Sequence, residues 1–324
     1  MAINWLELKN FTVFKDITVN FINGINVIIG ENGTGKTHLL KLLYTLNLGF
    51  DRHTDKNGSW TDRANEWAET KEIDNILDES LSKVFDIDFP YLNDNFKATR
   101  FFIVNPFNHV IFIPAKEMLS HAKGLLSMKK KYGENMPFDI TLLDIIEKAQ
   151  AWKLKEMSDL AKNIAPKIEK LIDGVVEIKD DGSFWVKKSN GTTIPFSMEA
   201  EGLKRFGLMW QLLMNESITN NTVLLWDEPE ANINPKLIPD LVEIMLELSR
   251  NGVQIFIATH DYILAKYFEV RRKENDSVRF HSLYKTDDGV KCESNENFRD
   301  LKDNSIIAAF DVLMDEVIDR NMGD

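Results

Sequence analysis

Eight residues constrain this chain more than any others: Gly30-Glu31-Asn32-Gly33-Thr34-Gly35-Lys36-Thr37. They fit the spacing G-x-x-x-x-G-K-[ST] at every fixed position, which requires a tight turn between a strand and a helix. The flanks agree. The mostly apolar run Ile25 to Ile29 precedes the turn, and Leu39, Leu42, Leu43 and Leu46 recur at helical spacing over Thr37 to Leu48. Glycine lets backbone N–H groups turn inward around a phosphate without side-chain obstruction. The helix start adds partial positive charge at the same place. Asn32, Gly33, Thr34, Gly35 and His38 belong to this cradle, Lys36 can neutralise β- and γ-phosphates, and Thr37 can offer a hydroxyl to Mg²⁺. The pattern therefore selects a nucleoside triphosphate with magnesium before any fold is drawn.

The 324 residues suggest one large or two modest domains, and a hydrophobic content of 44% suffices for a core. No apolar run approaches the ~20 residues needed to cross a bilayer. The start Met1-Ala2-Ile3-Asn4-Trp5 has no basic-then-apolar signal, and the single Cys292 excludes an internal disulfide framework. A cytoplasmic protein with no membrane partner is the expectation. The histidines at 38, 53, 109, 121, 260 and 281 show no metal-ligand spacing. A net charge of −12 argues against a broad nucleic-acid-coating surface. The short runs Lys129-Lys130-Lys131 and Arg271-Arg272-Lys273 leave a local DNA contact open. Asp86-x-Asp88 alternates with apolar residues and reads as a strand edge or turn.

Alternation at Ile3 to Leu8 and Ile17 to Phe21 predicts two half-exposed strands. Residues 50–80 read as a polar loop and then a helix ending near Phe85. Phe101 to Val104 and Val110 to Ile113 are strand-like. Residues 115–172 are mainly helical, with Leu142, Ile145, Ile146, Ala149 and Trp152 on one stripe and Ile164, Ile168, Leu171 and Ile172 on another. Pro114, Pro137 and Pro166 are expected to limit those helices. A meander follows over Val175 to Ile178, Phe184 to Val186 and Thr193 to Phe196, with Gly182 and Gly191 in its turns. From Gly202 the order is helix (Leu203 to Asn215), strand (Val223 to Trp226), helix (Pro235 to Arg250), strand (Val253 to Thr259), which predicts a parallel sheet covered on both faces. Strands near Phe280 to Lys285 and a helix over Ile306 to Ile318 complete the chain. The fold class is α/β.

A phosphate loop needs a distant carboxylate. Val223-Leu224-Leu225-Trp226 is followed by Asp227-Glu228, two acids where a buried strand ends. Asp227 suits magnesium and Glu228 suits the attacking water. His260 ends the next apolar strand, where an imidazole can sense the γ-phosphate.

These segments carry a resemblance. IIGENGTGKT at 28–37, LWDEPEAN at 225–232 and IATHD at 257–261 look like the ABC-type ATPase head. More closely they resemble its structural-maintenance-of-chromosomes, recombination-repair and overcoming-lysogenization-defect branch, as does the opening strand INWLELKNF at 3–11. FIPAKEM at 112–118 resembles a segment of small stand-alone members. The resemblance covers the first ~50 residues and roughly 196–262. It implies an ATPase domain in two parts, 1–114 and 197–324, around a helical lobe and meander at 115–196. It implies ATP and Mg²⁺ as ligands, with Lys36, Glu228 and His260 catalytic and Thr37 and Asp227 on the metal. It also implies a homodimer or higher homo-oligomer with ATP sandwiched between heads. The capping signature falls at SMEAEGLKR, 197–205, where Glu201, Gly202 and Lys204 would face the partner's nucleotide; Ala200 takes the usual serine slot and Glu201 the first glycine. Asn234 stands where the branch often has histidine, and Lys116-Glu117 is the nearest position to a glutamine loop. The implied output passes to a separate effector, a nuclease or toxin, in bacterial defence against phage. The alternatives are a repair ATPase that clamps DNA directly and a non-catalytic nucleotide-dependent scaffold.

Overall fold

The computed structural model describes residues 2–51, 101–104, 110–133, 136, 138–152 and 156–322. The helix expected to end near Phe85, the Asp86-x-Asp88 pair and Pro137 lie outside the described residues.

The chain opens with a hairpin of β1 (Ala2–Phe11) and β2 (Phe14–Asn20), then β3 (Ile25–Gly30) and α1 (Lys36–Asp51). Next come β4 (Phe101–Val104), β5 (Val110–Ile113), α2 (Leu125–Tyr132), α3 (Ile140–Ala149) and α4 (Asp159–Ile172). The meander is β6 (Gly174–Ile178), β7 (Phe184–Lys188) and β8 (Thr193–Pro195). Then follow α5 (Glu201–Met214), β9 (Val223–Asp227), α6 (Ile238–Arg250), β10 (Gln254–Thr259) and α7 (Tyr262–Arg271). A second hairpin, β11 (Val278–Thr286) and β12 (Gly289–Asn295), leads to α8 (Ser305–Met322).

Three sheets result. β2-β1-β4 is antiparallel, β6-β7-β8 is antiparallel, and a mixed six-stranded sheet runs β12-β11-β3-β10-β9-β5. Within the last, only the β11–β12 pairing is antiparallel. Side-chain alternation then assigns the two faces. Ile25, Val27, Ile29, Leu224, Trp226, Ile255 and Ile257 point into a core shared with α3 to α7. Ile28, Val223, Leu225, Phe256 and Ala258 point into a second core with Leu39, Leu40, Leu42 and Leu43 of α1 and with Leu6, Leu8 and Phe14 of the first hairpin. A sheet buried on both faces favours apolar residues at nearly every position, so β3, β9 and β10 lack polar alternation, and the buried exceptions Asn26 and Gln254 are hydrogen-bonded to backbone carbonyls.

The structure departs from expectation at three places. Trp152 does not continue the α3 stripe: the helix ends at Ala149 and Trp152 is 92% exposed. Pro166 does not limit a helix but sits inside α4. Proline removes the N–H that would reach the Lys162 carbonyl, yet both residues lie on the exposed face, where an unpaired carbonyl is open to solvent and costs little. The opposite face, Ile164, Ala165, Ile168 and Ile172, is buried, and the helix continues through the proline. Phe196 begins a 3₁₀ turn rather than ending the third meander strand.

At the far end, α8 docks through its first turns. The ring of Phe310 stacks on Tyr262, with centroids 4.0 Å apart and planes 4° from parallel.

Candidate functional site

Parallel pairing puts three strand ends side by side. Ala258 pairs with Asp227 and Thr259 with Ile29, so the loops after β3, β9 and β10 leave the same edge of the sheet. Loops at the carboxyl edge of a parallel sheet are where such folds bind ligands.

The first loop is shaped by its glycines. Gly33 and Gly35 have φ of +78° and +86°, a left-handed region open to glycine at little cost. A Cβ on Gly35 would also lie 2.7 Å from the rings and methyls of Phe14 and Val13, so the first hairpin presses directly on the loop. Thr34 closes the turn by donating Oγ1 to the Glu31 carbonyl at 2.8 Å. Lys36 Nζ donates to the carbonyls of Gly30 (2.7 Å) and Glu31 (2.9 Å), which fixes the ammonium over the loop. Burial lowers the Lys36 pKa, with Glu228, Asp227, Glu230 and Glu31 acting against that. His38, half-buried, is also shifted down, first by burial and then by the Lys41 cation.

The decisive contact joins the first and second loops. Thr37 Oγ1 donates to Asp227 Oδ2 at 2.9 Å and lies 3.1 Å from Oδ1, across 190 positions of sequence. Asp227 is buried, and burial raises its pKa to about 6 despite the Thr37 hydrogen bond. Among the described residues no cluster of three or more His, Cys, Asp or Glu side chains stands ready to hold a metal alone. Magnesium brought by a nucleotide needs only one or two protein oxygens, because phosphates and water supply the rest. The Thr37 hydroxyl and Asp227 carboxylate fit that requirement.

Glu228 has φ of +45°, uncommon for a residue with a Cβ, and its N–H donates to the Ala258 carbonyl at 2.9 Å. That turn lifts its carboxylate out of the sheet edge. His260 Nδ1 stands 3.0 Å from Glu228 Oε1, with both side chains partly open to solvent.

The family model described as "AAA domain, putative AbiEii toxin, Type IV TA system" matches residues 25–265, well over half the chain. The chain belongs to this family of AAA domains. Its α/β fold, a mixed core sheet flanked by helices, is that of an SMC head. The AAA domain is 30% identical over 141 residues to the DNA replication and repair protein RecF of Pediococcus pentosaceus, covering 41% of this chain and 36% of that protein. It is 46% identical over 57 residues to RecF of Oenococcus oeni, covering 18% and 15%. The matches thus span well under half the length of those relatives. A solved SMC head, bound to the C-winged helix domain of ScpA, superposes with a TM-score of 0.50 at 13% identity, covering 91% of this chain and 98% of that one. Such a likeness speaks for the fold alone.

In the AAA domain the signature-like segment is not spread open. Lys204 is buried and its ammonium is held by Glu201 one turn back, so the carboxylate at the glycine slot is paired within its own helix. A Cβ on Gly202 would meet Ile233 Cα at 2.9 Å and the Asn232 carbonyl at 3.0 Å. Glycine there lets the start of α5 sit against the loop that follows Asp227 and Glu228. Asn234 accepts from the Lys236 N–H and caps a 3₁₀ turn, Pro235–Leu237, ahead of α6. Glu117 caps another, accepting from the N–H groups of Leu119 and Ser120.

Three residues near the site carry no sequence expectation. Glu230, two positions after Glu228, is buried and accepts from Thr259 Oγ1 at 2.6 Å; burial raises its pKa to about 7. Its place in the acidic motif was the available signal. Arg205 is buried and donates to the carbonyls of Pro114 (3.0 Å) and Ala115, pinning the chain that leaves β5. Lys285 of β11 reaches the Asn32 carbonyl at 3.2 Å. Neither of these two has a local sequence signal, since both depend on pairings distant in the chain.

Proposed function

We propose that this domain hydrolyses ATP with Mg²⁺ as a head-to-tail pair and passes its nucleotide state to a separate effector protein. The single observation that carries the hydrolytic reading is the Thr37–Asp227 contact, which unites the phosphate loop with the acidic strand end. When bound, magnesium supplies positive charge beside the β- and γ-phosphate oxygens. Lys36 adds a second charge from the loop side. Glu228 takes the proton of the attacking water as its oxygen bonds to the γ-phosphorus, the bond to the bridging oxygen breaks, and ADP leaves. His260, 3.0 Å away, orients that carboxylate and faces the phosphate. Pairing of heads around ATP makes closure nucleotide-dependent, because ADP lacks the phosphate both subunits would grip. Membership of a family described as a putative toxin of a type IV toxin–antitoxin system supports a role of the toxin–antitoxin kind; the separate effector and defence against phage are part of what we propose.

Steady-state ATP turnover of the wild type and of Glu228→Gln tests this. A wild-type rate that falls on the order of 10²–10⁴-fold in the variant, with nucleotide binding kept, is the expected result. Equal, negligible rates would leave only a nucleotide-dependent scaffold. Sedimentation of Glu228→Gln with ATP should show dimers that ADP does not support.

The RecF relatives favour a second reading, a repair ATPase that clamps DNA itself. Strong ATP-stimulated DNA binding with a steep salt slope would favour that reading over the effector model.

A further inference from the structure

Helix α8 buries none of its 18 residues. Most of the stability of a helix in a folded protein comes from packing one apolar face. Its apolar face is well formed. Ile306 and Phe310 are followed by Leu313, Met314, Val317 and Ile318, a stripe at the spacing of one helical face. The first two turns of that stripe are half-buried: Ile306 and Ile307 pack on the main core, and Phe310 lies on Tyr262. From residue 311 onward every described position is exposed, including Leu313 at 52% and Val317 and Ile318 at 44%. The face that docks α8 onto the domain therefore continues past the domain's edge with nothing over it among the described residues.

The flanks select the occupant. Asp311 and Asp315 border the stripe on one side, Arg320 and then Glu316 on the other, and Asp319 lies behind, so the acids outnumber the one base. An acidic rim repels nucleic acid and anionic lipid, and two copies of this helix would bring like charges together. It attracts lysine and arginine.

We propose that α8 is a docking surface for an amphipathic helix of a separate protein, apolar along one stripe and basic along its edges. Such a helix would extend the stripe contact, with Leu313 and Val317 as apolar anchors and Asp311 and Asp315 selecting the cations. The proposal rests on the reading that a separate partner receives the nucleotide state.

The test uses the full chain and two fluorescein-labelled helical peptides with the same leucine stripe, one flanked by lysine and one by glutamate. Fluorescence anisotropy at physiological salt should show the lysine peptide binding at least 10-fold more tightly. Leu313→Ser/Val317→Ser should weaken it at least 10-fold. Asp311→Lys/Asp315→Lys should reverse the preference towards the glutamate peptide. These side chains are exposed, so an unchanged circular dichroism melt is expected and shows that the variants are folded. Binding that ignores peptide charge, or survives loss of both anchors, overturns the proposal. So does self-association, or binding to phosphatidylcholine–phosphatidylglycerol vesicles, that the anchor substitutions abolish. ATP turnover on the same preparations separates the two readings. A hydrolysing protein indifferent to the peptides sinks the docking surface alone, while charge-selective binding without turnover upholds it and sinks the hydrolase.

Discussion

Thr37 and Asp227 share a hydrogen bond of 2.9 Å although 190 residues separate them. The bond holds a buried carboxylate beside the phosphate loop. Thr37→Val removes the donor at nearly constant volume and leaves that carboxylate without it. We expect Mg-ATP affinity to fall at least about 10-fold, the scale of one lost charged hydrogen bond. Titration calorimetry with Mg-ATP checks this, and an unchanged affinity would falsify the assignment of Thr37.

Glu230 makes stability depend on pH. Burial raises its pKa from 4.5 to about 7, so the folded protein prefers the protonated form. The associated stability is fully present below the unfolded value and is lost as pH rises through about 7. Glu230→Gln keeps an oxygen to accept from Thr259 but carries no charge. Between pH 6 and 8 the wild type should lose stability relative to this variant by about 1 kcal/mol. Parallel urea melts at the two pH values measure the difference; curves that keep a constant gap refute it.

Arg205 links α5 to the exit of β5 through two carbonyls. Arg205→Leu fills similar space with no donor and leaves the Pro114 and Ala115 oxygens to find water. The expected loss is about 1–3 kcal/mol for each oxygen that stays dry. Hydrogen exchange should quicken around residues 114–120 before the rest of the domain. Uniform exchange across the fold would argue against a local pin.

Gly202 is constrained by backbone rather than by flexible side chains. Gly202→Ala forces the start of α5 away from Asn232 and Ile233. We expect a cost of about 1–3 kcal/mol and a drop in ATP turnover as the loop after Glu228 shifts. Denaturant melts and steady-state rates on the same variant measure the two effects, and a neutral substitution would show that the packing is loose.

The sequence discloses what is local. The phosphate loop declares itself because Gly33, Gly35 and Lys36 occupy fixed offsets, and β3, β9 and β10 declare themselves because doubly buried strands admit no polar alternation. Asp227 and Glu228 are legible as acids after an apolar run, but only the β3–β10–β9 pairing puts Asp227 against Thr37. Contacts made by long side chains across unrelated segments leave no local trace. Arg205 reaches back some ninety positions and Lys285 some two hundred and fifty, so neither could be foreseen. Trp152 misled for a simpler reason: helical spacing persists past a helix end, and large apolar residues are not always buried. Pro166 misled because a proline on a wet face costs less than its reputation.

Tyr262 lies two residues beyond His260, and its ring is laid flat beneath Phe310. The remainder of α8, exposed throughout, continues past that stack. Twelve residues of helix past Phe310 make a rod roughly 18 Å long. A tilt of about 5° where the rings meet would swing the tip by roughly 1.5 Å over that length. A displacement too slight to notice beside the phosphates would thus be legible to whatever grips the far end.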